Sequence, residues 1–92
     1  MRAKAKGTRN EYKSIRLLEA SGYRCTRAAA SLGVFDVIGI GTDEVVLCQV
    51  KSNRNPGAKE MEAIRLFNAP ANCRKIIHVW RDRRSAPDVK EL

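Results

Sequence analysis

Long apolar runs are absent from this sequence. Its 92 residues contain nothing close to the roughly 18 consecutive apolar residues that a membrane span requires. The N-terminus is basic, but the apolar segment of a secretory signal peptide does not follow it. The sequence therefore predicts no membrane partner and a cytoplasmic protein, or one in the host cytoplasm if its source is viral.

Cysteine and acidic residues are also scarce. The three cysteines, Cys25, Cys48 and Cys73, are odd in number and lack the spacing of metal ligands, which predicts reduced thiols rather than a disulfide framework. The chain has 10 acidic and 18 basic residues, for a net charge of +8. A small domain this basic is an electrostatic match for a polyanion, most often nucleic acid and less often an acidic membrane surface.

The hydrophobic pattern predicts one domain over residues 1–92, of the α/β class, with the element order α-β-β-β-α-β. Residues 1–7 lack apolar periodicity and are expected to form a basic arm that stays mobile until a partner orders it. The first helix is expected to begin at a capping box over Thr8–Glu11 and to end near Ala20, before Gly22. The other predicted elements are a strand at Tyr23–Ala28, a connection at Ala29–Gly33, a hairpin at Val34–Ser52, a helix at Ala58–Asn68 ended by Pro70, a strand at Lys75–Trp80, and a last segment, Asp88–Leu92, that either adds an edge strand or frays.

The hairpin is the most informative of these elements. Two apolar β-branched runs joined by a polar turn are its signature. A four-residue loop over residues 41–44 would pair Ile40 with Val45, Ile38 with Leu47, and Asp36 with Gln49. Because side chains alternate along a strand, Asp36, Gln49 and Lys51 would leave the sheet on one face. An acid, an amide and a lysine at the end of two apolar strands are typical of a functional site.

Glu11 is a candidate for the same site. It lies four and seven residues before Ile15 and Leu18, so it starts the helix stripe that packs on the sheet. The alternative is that Glu11 only completes the capping box. His78 lies in an apolar strand, and we expect it to be a packed or a surface residue rather than a ligand.

The order Glu11, Asp36, Gln49-Val50-Lys51 resembles the PD-(D/E)xK nuclease superfamily, and most closely the archaeal-type Holliday junction resolvases of archaea and phages. The resemblance covers residues 7 to about 67. The matching segments are Gly7-Thr8-Arg9-Asn10-Glu11, then Gly22-Tyr23 with Arg27 and Ser31, then Phe35-Asp36 in the place of Pro-Asp, and Gln49-Val50-Lys51-Ser52 in the place of Glu-x-Lys.

The resemblance implies a small restriction-endonuclease-like mixed β-sheet flanked by helices, and a homodimer that cuts four-way (Holliday) DNA junctions in symmetric pairs. It implies that Asp36, Gln49 and Glu11 hold Mg²⁺, for which Mn²⁺ can substitute, and that Lys51 assists the attacking water. Ser31 either touches the scissile phosphate or caps a turn. No small-molecule cofactor is implied. The residues expected to follow DNA phosphates, with steep salt dependence and little sequence preference, are Arg9, Lys13, Arg27, Arg54, Lys4 and Lys6.

The main departure from the family pattern is Gln49, which stands where a carboxylate is usual. An amide oxygen is an acceptable but weaker ligand for Mg²⁺. Mrr-like restriction nucleases resemble this chain in having glutamine there, so the substitution does not imply an inactive protein. It leaves open weak or Mn²⁺-preferring activity, or a helping acid from Glu60 or Glu62 on the second helix.

Two rival functions remain open. The first is another nuclease of the superfamily that cuts flaps, single strands or ordinary duplex DNA. The second is a non-catalytic DNA-binding relic that keeps the fold and the basic surface. Gln49 favours the second rival, whereas Glu11, Asp36 and Lys51 argue against it.

Overall fold

A five-stranded mixed sheet forms the centre of the computed structural model, which describes the backbone of residues 3–92 and their side chains except those of residues 3–5 and 29–32. The strand order is β1-β2-β3-β4-β5, with β3 and β4 parallel and every other neighbouring pair antiparallel. The elements are α1 (Ala3–Ala20), β1 (Arg24–Leu32), β2 (Phe35–Ile40), β3 (Val45–Ser52), α2 (Ala58–Leu66), β4 (Cys73–Trp80) and β5 (Asp88–Glu91). The α/β class is confirmed, and the last segment is an edge strand.

The two helices lie on opposite faces of the sheet. On one face, Ile15 and Leu18 of α1 pack against strand residues that include Cys48. On the other face, Ile64 of α2 packs in a second cluster with Leu47. Because neighbouring residues of β3 point to opposite faces, this strand is buried on both sides and supplies residues to both clusters.

The predicted hairpin register is largely confirmed. The ladder pairs Ile40 with Val45, Gly39 with Val46, Ile38 with Leu47, and Val37 with Cys48. It ends there, so the predicted pair of Asp36 and Gln49 is not part of the ladder. In the turn, Gly41 has no space for a side chain, since a Cβ would lie 2.9 Å from the ring of Tyr23. Glycine at this position lets the ring of Tyr23 cover the turn.

The start of α1 differs from the prediction. The helix begins at Ala3, so the residues predicted to form an arm are helical from position 3 onward, and Met1 and Arg2 lie outside the described residues. Thr8 is therefore inside the helix, and the predicted capping box is wrong. The end of α1 is as predicted, because Gly22 has a left-handed φ of 98° and the chain closes with hydrogen bonds back to Leu18 and Glu19.

Two further boundaries were placed incorrectly by the sequence pattern. The predicted connection after Ala28 is part of β1, which continues to Leu32 and turns at Gly33, where φ is 64°. Helix α2 ends at Leu66, before the predicted Asn68, and Pro70 is not its terminator. The ammonium of Lys75 on β4 donates hydrogen bonds of 2.6–3.1 Å to the carbonyls of Ile64, Arg65 and the capping residue Phe67, a favourable place for a positive charge.

Membrane crossing by a helix is not supported within residues 3–92. Neither described helix is long and apolar enough to span a bilayer.

Candidate active site

Asp36 lies where β2 leaves the ladder with β3. Phe35 and Ile38 both pack in the cluster on the α2 side, so the strict alternation of side chains breaks at Asp36. The carboxylate turns to the β3 backbone, where its Oδ2 accepts a hydrogen bond of 2.8 Å from the N–H of Val50. Burial raises the pKa of Asp36, and the negative charges of Glu11 and Glu60 raise it further against the opposing effects of the Val50 N–H and Lys51.

Gln49 places a polar group in the interior. The residue is only 5% exposed, and its Oε1 has no hydrogen-bond partner among the described atoms. It pairs with Ile77 in the β3–β4 ladder and follows Leu47 onto the α2 side of the sheet. Since a buried carbonyl oxygen without a donor costs about 1–3 kcal/mol, a hydrogen-bond donor or a cation at this oxygen would stabilise the folded protein.

Lys51 is held by a carboxylate from α2. Its side chain is 13% exposed, and its Nζ lies 2.7 Å from Oε2 of Glu60. The other oxygen of Glu60, Oε1, accepts the N–H of Gly57 at 3.0 Å at the start of α2. The hydrogen bond from Lys51, followed by that from Gly57, lowers the pKa of Glu60. Of the two acids that the sequence offers on α2, Glu60 therefore reaches Lys51, whereas the exposed Glu62 faces Arg65 at 3.9 Å.

Glu11 reaches the site from α1 and is also committed to a partner. Its Oε1 accepts a hydrogen bond of 2.8 Å from Nε of Arg27 on β1. The guanidinium of Arg27 also lies over the ring of Tyr12, 5.4 Å from its centroid. Glu11 is close enough to raise the pKa of Asp36. The structure thus brings Glu11, Asp36, Lys51 and Glu60 into one electrostatic neighbourhood at this end of the sheet.

Comparison with known proteins adds a structural match but no sequence match. No protein-family model and no curated protein matches the sequence. The crystal structure of Hjc from Archaeoglobus fulgidus, a Holliday junction resolvase from an archaeal hyperthermophile, superimposes with a TM-score of 0.70 at 20% identity over 86% of this chain and 67% of Hjc. The chain has the Hjc fold. At this level of identity the likeness establishes the fold alone.

Most of the residues that were expected to bind DNA already interact with other residues of the chain. Lys6 pairs with Asp82 at 2.8 Å, and Arg54 lies 4.0 Å from Glu60. Arg27 is bound to Glu11, as described above. Lys13 lies over the ring of Trp80, 5.3 Å from its centroid, and Arg9 is exposed with a partner of its own.

Two predicted site residues have side chains outside the described part of the structure. The backbone of Ser31 lies in β1 and that of Lys4 in α1. Contact of Ser31 with a phosphate and of Lys4 with DNA stay predictions.

A buried polar network beside the site was not predicted. Oγ of Ser14 on α1 accepts a hydrogen bond from Nε1 of Trp80 and lies 2.8 Å from Nδ1 of His78. One turn earlier, Asn10 donates to Ser52, the residue after Lys51, at 2.7 Å. The i, i+4 spacing of Asn10 and Ser14 was visible in the sequence and is the signal that could have placed both on one helix face. His78 is buried, which is one of the two alternatives expected for it.

The donor set suits a hard cation only in part. Among the described side chains, no three His, Cys, Asp or Glu residues are arranged to hold a metal ion. Neither Oε1 of Gln49 nor Oδ1 of Asp36 accepts a hydrogen bond from the described atoms. Carboxylate and amide oxygens are ligands that Mg²⁺ accepts, with water and phosphate completing the octahedron. These oxygens therefore match the ligand chemistry of a magnesium ion that keeps several non-protein ligands.

Proposed function

We propose that this protein is a metal-dependent endonuclease that hydrolyses phosphodiester bonds in four-way DNA junctions. The observation that carries the proposal is the buried, unpartnered oxygen of Gln49, two residues before the ion-paired Lys51 on β3. A buried oxygen of this kind needs a ligand to offset its desolvation. The Hjc fold of the chain and its net charge of +8 supply the supporting context.

In this mechanism Asp36 and Gln49 would hold Mg²⁺, or Mn²⁺ in its place. Glu11, one oxygen of which is bound by Arg27, would supply a further ligand or hold the attacking water. When bound, the cation would polarise the phosphoryl oxygens and lower the pKa of the attacking water. Burial, and after it the negative charges of Glu11 and Glu60, raises the pKa of Asp36, and a cation bound beside this carboxylate would lower that pKa.

Lys51 orients the attacking water and offsets the charge that develops on the phosphate. We infer that Glu60 acts through Lys51 as a positioning residue. Its two oxygens connect the ammonium to the first turn of α2, so the lysine has little freedom to turn away from the site. Fixing a reactive group in this way lowers the entropic cost of reaching the transition state.

A homodimer is the assembly that we propose for junction cleavage. A four-way junction presents two equivalent strands, and a two-fold dimer presents two equivalent sites. The proposal of branched DNA as the substrate rests on the Hjc fold, because Hjc is a Holliday junction resolvase.

The deciding experiment is cleavage of an end-labelled four-way junction with Mg²⁺ and with Mn²⁺ by the wild-type protein, Asp36→Asn and Asp43→Asn. Asp43 lies exposed in the β2–β3 loop, so its variant makes the same chemical change away from the site. We expect paired, symmetric nicks from the wild type and Asp43→Asn, and none from Asp36→Asn. Cleavage by Asp36→Asn at the wild-type rate would refute the assignment of the site.

A flap, a single strand and a linear duplex of matched sequence are tested in parallel. Equal cutting of all of them would replace the junction by a broader nuclease substrate. The absence of a ready acidic trio among the described residues favours one rival, the non-catalytic DNA-binding module. Tight junction binding without cutting in either metal would select that rival.

A further inference from the structure

Seven of the sixteen basic side chains that the structure describes have acidic partners within 4.0 Å. These cations are Lys6, Arg27, Lys51, Arg54, Arg65, Arg74 and Arg81. A cation that already neutralises a carboxylate gains little by contacting a phosphate, because it must first give up its partner. The cations without carboxylate partners therefore determine where a polyanion is attracted most strongly.

Three such cations meet in one cleft. Lys13 and Arg16 of α1 and Arg84 of the β4–β5 loop line a cleft of about 370 Å³, together with Leu17, Ala20, Trp80 and Ser85. No acidic residue lines it, and none of the three cations forms an ion pair with a described carboxylate. We call this feature the α1–β4 cleft.

The floor of the α1–β4 cleft is apolar and fixed. Trp80 is 5% exposed, its Nε1 is bound to Ser14, and the ammonium of Lys13 lies over its ring. Leu17 is 40% exposed beside it. A rigid apolar floor below three cations matches the sugar–phosphate backbone of DNA, whose anionic oxygens would face the cations and whose sugars would face the floor.

The α1–β4 cleft is separate from the candidate active site. Lys13 faces Trp80 and the β4–β5 loop, whereas Glu11 and Arg27 meet on the β1 side of α1. Arg16 lies between the two sides, since it also lines a second cleft with Glu19 and Arg27. None of Asp36, Gln49, Lys51 and Glu60 lines the cleft. A DNA arm bound there would pass between α1 and the β4–β5 loop, and of the three cations only Lys13 was expected from the sequence to contact DNA.

We propose that the α1–β4 cleft binds the sugar–phosphate backbone of a DNA arm, so that Lys13, Arg16 and Arg84 anchor DNA at a distance from the cutting site. This inference rests on the proposed function, since it takes DNA as the ligand. The anchoring is independent of sequence, because the cleft offers charge and an apolar floor but no group aimed at base edges.

The test compares two triple variants with the same change in net charge. In the cleft variant, Lys13, Arg16 and Arg84 become Gln. In the control variant, three exposed cations that lack carboxylate partners elsewhere, Arg24, Lys59 and Lys90, become Gln. Binding to a fluorescently labelled four-way junction is measured by anisotropy over a series of NaCl concentrations, without divalent metal, and folding is checked by thermal unfolding.

We expect the cleft variant to lose about tenfold or more in affinity near physiological salt. The slope of log affinity against log salt should fall in magnitude by about 2 to 3, since each lost phosphate contact removes about 0.9. The control variant should change the slope by less than about 1. If replacing Lys13 unfolds the protein, Arg16→Gln/Arg84→Gln against Arg24→Gln/Lys90→Gln keeps the comparison, with an expected slope change of about 2.

Equal slopes for the cleft and control variants would overturn the proposal while leaving the nuclease intact. Loss of dimerisation by the cleft variant with an unchanged slope would also overturn it, because the cleft would then be a contact between protomers. If the wild-type protein itself binds no DNA, the proposed function fails and the cleft proposal fails with it. Active-site residues are unchanged in all variants, so cleavage of bound junction reports separately on the catalytic proposal.

Discussion

The side chain of Gln49 is buried, yet its amide oxygen has no hydrogen-bond donor among the described residues. As an amide it can be buried without the full cost of a buried carboxylate. A carboxylate at the same position would bind Mg²⁺ more strongly and would repel Asp36. We infer that glutamine at position 49 binds a metal less strongly than a carboxylate would, but makes the metal-free protein more stable.

Replacing Gln49 in two ways tests this reasoning. Gln49→Glu should raise Mg²⁺ affinity by about tenfold and lower the metal-free free energy of unfolding by about 1–3 kcal/mol, since a charge is added to a buried, acidic place. Gln49→Leu should weaken metal binding and leave stability unchanged or higher, because it removes the unpartnered oxygen. Calorimetric titration with Mg²⁺ and urea unfolding measure both effects. Unaltered metal affinity in both variants would exclude position 49 from the metal site.

Glu60 can be separated into its two contacts by a single substitution. In Glu60→Gln the amide oxygen can still accept the N–H of Gly57, but the ion pair with Lys51 is lost. We expect the single-turnover cleavage rate to fall about tenfold, with junction affinity and melting temperature nearly unchanged. Glu62→Gln makes the same change in an exposed pair and should cleave normally. Identical rates for the two variants would remove Glu60 from the mechanism.

At the scale of the elements, α1 is attached to the sheet by apolar and polar contacts. Ile15 and Leu18 supply the apolar ones. Ser14 supplies the polar ones, since its Oγ accepts from Trp80 and its hydroxyl proton can be donated to Nδ1 of a neutral His78. Because Glu11 is on the same helix, this network also helps to hold Glu11 in position relative to the sheet.

Removing the Ser14 hydroxyl should loosen α1. Ser14→Ala leaves the indole N–H of Trp80 and Nδ1 of His78 without partners, and we expect a loss of about 2–4 kcal/mol in the free energy of unfolding. Urea unfolding of this variant beside Ser85→Ala, which alters an exposed loop serine, measures the difference. Equal stability of the two variants would mean that the network adds nothing.

Acidification should weaken the same attachment. Burial lowers the pKa of His78 from 6.5 to about 4, and His78 is the only histidine in the sequence. Below pH 6.5 the unfolded chain therefore binds a proton at His78, whereas the folded protein binds it only near pH 4. The contribution of neutral His78 to the free energy of unfolding is fully present above pH 6.5, and it falls by about 3 kcal/mol as the pH drops to about 4.

The raised pKa of Asp36 acts in the opposite direction and offsets part of this loss, because the folded protein then takes up a proton more readily than the unfolded chain. Urea unfolding at pH 7, 6 and 5 measures the trend, and His78→Gln should flatten it. A wild-type protein equally stable at pH 7 and pH 5 would contradict the assignment.

For the whole molecule, the distribution of charge matters more than its total. Acidic residues serve mainly as internal partners: at the end of the sheet away from the site, Arg74 bridges Glu44 and Glu91, and Tyr23 donates to Glu44. Because so many carboxylates are committed, the remaining cations give the surface its attraction for a polyanion.

Ligand-induced stabilisation tests this view of the molecule. At a junction concentration about 100 times the dissociation constant, DNA should stabilise the fold by about 2.7 kcal/mol, which appears as a higher melting temperature. Raising NaCl at constant DNA should abolish the shift, because phosphate contacts are screened and counterion release loses its driving force. A shift that persists at about 1 M salt would indicate mainly non-electrostatic binding.

The sequence by itself determined the features that depend on residues close together in the chain. Alternation and turn chemistry gave the β2–β3 register from Ile40 to Val37, and Gly22 gave the end of α1. The same local rules misplaced the start of α1, because Thr8 has the chemistry of a cap but the helix continues through it.

Tertiary structure alone decided which charged and polar groups meet. Lys51 with Glu60, Glu11 with Arg27 and Ser14 with His78 are separated by 9, 16 and 64 positions. Local rules do not reach such pairs, since each depends on how a helix lies on the sheet. Short motifs that resemble those of known nucleases indicated the site residues. Only the packing of the chain determined which cations form ion pairs and which remain available to attract DNA.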